Sequence, residues 1–436
     1  MKNVCIIGGG AAGLMAAYAA AKNGHKVILF EKNEKLGKKI YITGKGRCNF
    51  TNDVPADEFL LNVVRGEKFL KGCIYSFSPQ GVMSFFENFG LSIKTERGNR
   101  VFPSSDHASD ITKTLEKACK SVGVEIHLNE SVKKIGVMSD DIIMCDIEHS
   151  SLTNAMLDVI NAPRIAFIEA GGKRYDCDVC IIATGGLSYP TTGCTGDGYK
   201  IAKAFSHKIV EIKPALCGIN LQGDFFKELQ GLSLKNVAIS AENGNKTIFS
   251  GFGEMLFTHF GVSGPLILSL SSKINRLPIK SVKIALDLKP ALDEHTLDKR
   301  LLRDFEKYKN KKISNALVEL LPQKLIFSVL KVAKISPDKN VNVLTKVERG
   351  YLIKALKEFP LTPLSLRGIE ESIVTSGGVD LSEINPKTME SKKVSGLKFC
   401  GEVLDVDAYT GGFNLQIAFS TGYAAGNTIK AEENNC

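Results

Sequence analysis

The chain has 436 residues, 44% of them apolar and 24% charged, with 56 basic against 47 acidic side chains and a formal charge of +9. These proportions exclude a disordered or fibrous chain and suit a soluble protein of two or three domains with a substantial core. Eleven cysteines scattered over this length fit reduced thiols in a cytoplasm and not a disulfide scaffold.

Residues 4–21 carry no charge, a pattern that a signal peptide or a membrane span also shows. Gly8, Gly9, Gly10 and Gly13 interrupt it, and alanine is only weakly apolar. A buried strand over 4–7, a tight turn and an alanine-rich helix over 11–23, closed by Gly24, explain the same letters. Neither export nor membrane insertion is expected. Residues 26–31 read as the next strand and complete a βαβ unit. Strand-like runs at 131–137, 142–148 and 164–169 have the pattern of a meander, and 177–184 reads as another buried strand ending in Gly185-Gly186. After Tyr189-Pro190 the character changes. Runs at 208–212, 236–241 and 282–288 alternate with turns, and 293–357 is helical, with Leu297, Leu301, Leu302 and Phe305 at helical spacing. This helical stretch holds 15 basic and 8 acidic residues, so +7 of the net +9 lies there. A solvated face is its ordinary meaning, and a surface for nucleic acid the sharper one, although no basic motif with interleaved aromatics is evident. From residue 371 a strand (398–400), a loop (401–412) and a long helix (413–430) close the chain.

Gly8, Gly10 and Gly13 form Gly-x-Gly-x-x-Gly between the first strand and its helix. The first glycine makes the turn, the second lets backbone approach a pyrophosphate, and the third lets helix pack on strand. Ala11 and Ala12 open the helix, whose unpaired amides and partial positive charge receive phosphates. Glu31 ends the second strand, where a carboxylate can take ribose hydroxyls and argues against a 2′-phosphate; Lys32 follows it. The motif serves NAD and FAD alike. No second copy follows a strand elsewhere, and three segments favour FAD. Within 36–52, Lys38, Lys39, Arg47, Cys48 and Asn49 lie in a loop dense in Gly, Asn and Thr, suited to embracing a cofactor. Thr184 and Gly185 sit at a strand's C-terminal end, where open α/β sheets bind ligands. Gly401 and Glu402, then Gly411, Gly412, Phe413 and Asn414, lead into the last helix, whose N-terminus can face the electron-rich edge of a reduced flavin.

With the glycine-rich start, four further segments resemble one bacterial flavoprotein family. They are Gly46-Arg47-Cys48-Asn49-Phe50-Thr51-Asn52, Phe257-Thr258-His259-Phe260-Gly261-Val262-Ser263-Gly264-Pro265, Thr375-Ser376-Gly377-Gly378-Val379, and Gly401-Glu402-Val403-Leu404-Asp405 through Gly411-Gly412-Phe413-Asn414. The family is the aminoacetone-oxidase-like FAD-binding flavoproteins, often labelled NAD(FAD)-utilising dehydrogenases, which includes a bile-acid 4,6-reductase. The resemblance runs from end to end. It implies a Rossmann-like α/β FAD-binding domain of the glutathione-reductase type, built from both termini (1–190 and 373–436). An inserted substrate or cap domain spans 191–372, β-rich over 191–291 and helical over 292–358. It further implies that Val132 places its backbone against the adenine.

Flavin would supply the redox chemistry, and the protein position and electrostatics. Arg47 can hold a substrate anion or the flavin carbonyls. Cys48 lacks a partner at Cys-x-x-Cys spacing. Cys177 and Cys180 have that spacing on a strand, where side chains three apart face opposite ways, so packed, inert thiols are expected. His259 precedes Ser263, placed to cap a helix that Pro265 opens, and serves either that turn or the substrate. Tyr409 can stack on flavin, donate a proton or simply pack, and Asp197 reads as a cap. Gly422 and Gly426 have the spacing of membrane dimers, but polar neighbours favour a soluble helix packed on the sheet. The expected protein is an FAD-dependent oxidoreductase of a small or flat organic molecule held between the FAD domain and the insert. It would be either an NADH- or NADPH-driven reductase of an activated C=C bond, with the nicotinamide bound only transiently, or an amine oxidase using O₂. A flavoprotein binding nucleic acid through its helical lobe is the alternative from a different class.

Overall fold

A computed structural model describes residues 1–138, 142–146 and 163–430. The chain divides into two compact units, residues 1–213 with 369–436, and residues 214–368.

In the first unit, short apolar runs become β1 (Asn3–Ile7), β2 (Lys26–Glu31), β3 (Glu125–Leu128), β4 (Val179–Ile182) and β5 (Leu397–Phe399), with α1 (Ala11–Lys22) joining β1 to β2. They form one parallel sheet in the order β5-β4-β1-β2-β3. β1 and β4, at its centre, are almost wholly apolar and buried, as strands covered on both faces must be. β5 comes from the far end of the sequence, so both termini complete the same sheet. A four-stranded antiparallel sheet of Val132–Met138, Ile142–Asp146, Arg164–Ala170 and Lys173–Asp176 accompanies it; it is not the expected meander, because Arg164–Ala170 pairs with Val132–Met138 and not with Ile142–Asp146, and positions 147 and 148 of the expected second run lie outside the described residues.

The alanines of α1 have a packing reason. A Cβ on Gly422 would come within 2.3 Å of the Ala12 carbonyl oxygen, and one on Gly426 within 2.3 Å of that of Ala16. The C-terminal helix Phe413–Asn427 therefore lies backbone to backbone on α1, and the two glycines serve this helix pair rather than the sheet contact expected from their polar neighbours. Lys398 closes that helix, its buried Nζ donating to the Ala425 carbonyl (2.9 Å) and Thr428 Oγ1 (3.0 Å), where a cation meets the negative end of the helix dipole. The first unit also runs past residue 190 to include the helix Asp197–Ala204.

The second unit holds a seven-stranded antiparallel sheet. Its longest strand, Lys246–Thr258, escapes sequence reading because Gly251 and Gly253 interrupt the alternation and few of its side chains are buried. Glu294–Lys307, Ile313–Ala316, Gln323–Val332 and Lys346–Lys357 form its helical part. Their inner residues, among them Leu297, Leu301, Leu325, Val329, Leu352 and Leu356, share one core. Two of these helices are capped locally. Asp293 accepts from the Thr296 amide (2.7 Å), and Thr345 with Glu348 forms a reciprocal capping box. The helix Pro265–Ile274 starts instead on Gly264 (φ 98°) with no side-chain cap, and Ser263 ends a short strand, so Ser263 is not the cap the sequence suggested. Among the described residues no helix is long and apolar enough to cross a membrane.

Candidate cofactor site

The end of β1 sets the site. Gly8 takes φ 108°, and a side chain there would strike the Ala183 carbonyl oxygen at 2.5 Å. A Cβ on Gly13 would lie 1.9 Å from the Gly8 carbonyl oxygen, whereas Gly10 faces open space. Leu14 makes the first intrahelical bond, to the Gly10 carbonyl (3.0 Å). The amides of Ala11, Ala12 and Gly13 thus have no acceptor within the helix.

A cavity of about 430 Å³ opens at this point. Of the expected residues, Gly8, Gly10, Ala11, Ala12, Glu31, Lys32, Lys38, Lys39, Val132, Thr184, Gly185, Gly401, Glu402 and Asn414 line it, brought together from both ends of the chain. Glu31 accepts from the Gly9 amide (2.8 Å) with one oxygen and from the Asn33 amide (2.9 Å) and Nδ2 (2.6 Å) with the other. A carboxylate has about four acceptor positions, so capacity for a hydroxyl remains. Lys32 is held by Thr195 and Asp197, both at 2.6 Å, and Lys38 by Glu34 (3.2 Å). Asp197, read as a cap, is thus the partner of Lys32, and Gly196 holds the cap position.

Lys39 donates to Ser188 Oγ and Glu402 Oε2, both at 2.5 Å. The other Glu402 oxygen accepts from the Thr375 amide (2.7 Å) and Ser188 (2.9 Å). Burial works against the Glu402 charge, but Lys39, Thr375 and Ser188 outweigh it and hold the carboxyl below the usual range. Ser188 was missed in the sequence; nothing local marks it, because its partners lie far along the chain.

Two buried hydroxyls near this cavity, Thr184 Oγ1 and Tyr199 Oη, have no hydrogen-bond partner among the described residues. An unpaired buried polar group costs roughly 1–3 kcal/mol, which a ligand would recover. The free amides of α1, the space at Gly10, the acceptor capacity of Glu31 and the Thr184 hydroxyl together fit FAD.

Other expected residues do not line the cavity. Gly13 is consumed in packing the turn. Arg47 stacks on Phe102 (4.4 Å) and donates to Asp106 (2.7 Å) and Glu96, so two carboxylates already occupy its fork. Cys48 is fully buried at φ 57°, and burial pushes its thiol far above the ordinary value. Asn49 is buried with Oδ1 unpartnered among the described residues. Gly412 (φ 95°) lets its loop press on Thr51, where a Cβ would meet the carbonyl oxygen at 2.3 Å, and Gly411 (φ 127°) precedes it. Phe413 packs on Phe59 (5.2 Å). Asn414, which does line the cavity, also binds the Ala408 amide (3.0 Å) and carbonyl (2.8 Å), pinning the preceding loop to the helix start, and the Tyr409 amide donates to the Asn62 carbonyl (3.0 Å). His259 lies in the second unit, exposed in the turn after Lys246–Thr258, its ring 5.1 Å from that of Phe260. Phe260 carries the Arg367 guanidinium at 4.6 Å, a cluster invisible in the sequence because its members are distant there. Cys5, Cys48, Cys73, Cys119, Cys177, Cys180, Cys194, Cys217 and Cys400 are free and buried.

A parallel sheet with a glycine turn, an unpaired helix N-terminus and an acid closing the second strand defines a dinucleotide-binding protein of the Rossmann class. The chain belongs to the HI0933-like family, matching its Rossmann-domain model over residues 2–163 and its barrel and H2TH-domain model over 213–374. It is 29% identical to a 3-dehydro-bile acid delta(4,6)-reductase of Clostridium scindens over 98% of both chains. To a ribosomal RNA dihydrouridine synthase of Haemophilus influenzae it is 31% identical, again over 98% of both. Among solved structures, a 3-ketosteroid-delta4-(5alpha)-dehydrogenase of Rhodococcus jostii shares the fold at 14% identity and a TM-score of 0.51, over 98% of this chain and 96% of that one.

Proposed function

We propose that this FAD-dependent oxidoreductase adds two hydrogens across a C=C bond conjugated to a carbonyl, with NADH or NADPH as reductant. The cavity at the head of α1 carries the cofactor half of this reading. The chemistry shared by the two full-length relatives supports the rest. A 4,6-unsaturated bile-acid ketone and a uracil ring look unlike, yet each offers an alkene whose far carbon accepts hydride while charge moves onto a carbonyl oxygen. FAD, held by the residues of this cavity, would supply the hydride transfer from reduced nicotinamide to that carbon.

The chain's own residues bind and orient. The Ala11 and Ala12 amides receive the pyrophosphate, Glu31 a ribose, and the Thr184 hydroxyl gains its missing partner. The Lys39–Glu402 pair presents a fixed dipole in the cavity. A proton must reach the adjacent carbon, and His259 and Tyr409 are the proposed donors. Arg47 serves its own loop in this reading.

The test is anaerobic mixing of the yellow protein with NADH and NADPH separately, followed by a 4,6-dien-3-one steroid and then by O₂. Loss of flavin absorbance with one nucleotide, reversed by the dienone before O₂ enters, is expected. Reduction by an aminoketone and reoxidation by O₂ alone would replace this reading with the amine oxidase.

A further inference from the structure

We infer that the outer face of the helix Gln323–Val332, in the second unit, is a docking surface for single-stranded RNA. The inference rests on the C=C-reductase reading, taken toward a pyrimidine base carried in a polynucleotide.

Charge is concentrated here. Residues 320–337 contain three lysines and no aspartate or glutamate. The inner residues of the helix, Leu325, Ile326, Val329 and Leu330, are buried in the core. Its outer face presents Lys324, Phe327 and Lys331, at positions i, i+3 and i+7 of one helical stripe. Phe327 is 56% exposed, so most of its ring is open to solvent and can take a stacked base. Lys334 follows at φ 56°, a left-handed position where helices usually place glycine.

These charges are not spent within the protein. Lys331 and Lys334 have no ion-pair partner among the described residues, and Lys324 reaches only the Gln230 carbonyl (3.3 Å). The flanking acids are engaged elsewhere, Glu319 by Lys307 and Asp338 by Lys312, each at 2.7 Å. The stripe is thus a ring flanked by uncompensated cations. Single-stranded nucleic acid is bound in this way, with a base on an aromatic face and lysines on the backbone. A protein groove-binder would need a broader apolar stripe, and here the aromatic stands between charges.

The test uses the full-length FAD-loaded protein and a fluorescein-labelled oligouridylate, with anisotropy read across a salt series. Binding that weakens with salt is expected. Exchanging Lys324, Lys331 and Lys334 together for alanine should reduce the steepness of log affinity against log salt by about 2, near 0.7 per lost phosphate contact. Phe327→Ala should weaken binding roughly 10- to 100-fold, and Phe327→Tyr should restore it. No binding by the wild type, or binding that neither variant changes, overturns the surface. Equal binding of heparin with no effect of Phe327→Ala also overturns it, since that marks a plain cationic patch. NAD(P)H-driven flavin reduction and dienone reoxidation are followed in the same preparations, where all these variants should match the wild type. Loss of that activity in the wild type with RNA binding intact would sink the reductase reading alone.

Discussion

Gly13 shows how little freedom the cofactor turn has. A Cβ there would lie 1.9 Å from the Gly8 carbonyl oxygen, a contact no rotamer change can relieve because both atoms are backbone-fixed. Gly13→Val should therefore abolish FAD retention, measured as flavin released per protein on denaturation; full occupancy would remove this turn from the phosphate site. Glu31→Ala removes an acceptor that already holds the Gly9 amide, so both the turn and the ribose contact suffer. FAD affinity should drop by about 1–3 kcal/mol, read by titrating the stripped protein, and unchanged affinity would show the acid to be structural only. His259→Ala should keep FAD and lower turnover about 10²–10⁴-fold, the usual weight of a general acid or an oriented hydrogen bond. Unchanged single-turnover kinetics would take His259 out of the chemistry, and loss of folding would make it the residue that holds its turn. Arg47 teaches the opposite lesson. Its type and neighbourhood suggested a ligand-binding fork, yet Glu96 and Asp106, both distant in sequence, claim it.

Elements carry their information in spacing, and partners decide its meaning. The βαβ start, the buried strand at 179–182, the helical region and the final helix were legible, because strand and helix periodicities and terminal glycines are local signals. The strand Lys246–Thr258 was not, since its glycines and exposed positions blur the alternation. The Gly422 and Gly426 pair was legible as a close contact but not as to its partner, which is α1. Gly422→Ala should push the C-terminal helix off α1 and cost about 1–3 kcal/mol by overpacking, lowering FAD retention as α1 shifts. Gly350→Ala is the control. It lies on the exposed face of the helix Lys346–Lys357 with nothing near its added Cβ, and its replacement should stabilise by about 0.5–1 kcal/mol. Urea midpoints of the two variants test both signs, and equal shifts would refute the backbone-contact account.

At the scale of the whole molecule, nine cysteines are free and buried. Burial pushes Cys73, Cys119 and Cys400 up to about 12 from an ordinary 9.0. Their folded values are raised, so their stabilising contribution is whole below pH 9 and drains away as pH rises from 9 toward 12, where unfolded chains release protons that folded ones keep. Stability should fall above pH 9 by roughly 1.4 kcal/mol per pH unit for each such thiol. Under reducing conditions Cys119→Ala should show a shallower fall in urea midpoint than the wild type, and identical slopes would exclude the thiols as the cause. The sequence alone determined what depends on neighbours along the chain: the glycine turn, the acid closing β2, the charge of the helical lobe and the kind of each long element. Tertiary structure decided which of the nominated residues share a cavity, that α1 and the C-terminal helix touch through their backbones, and that Arg47 is already paired while Phe327 stands between lysines without an ion-pair partner among the described residues. Those outcomes depend on contacts between segments far apart in sequence, where no local spacing rule reaches.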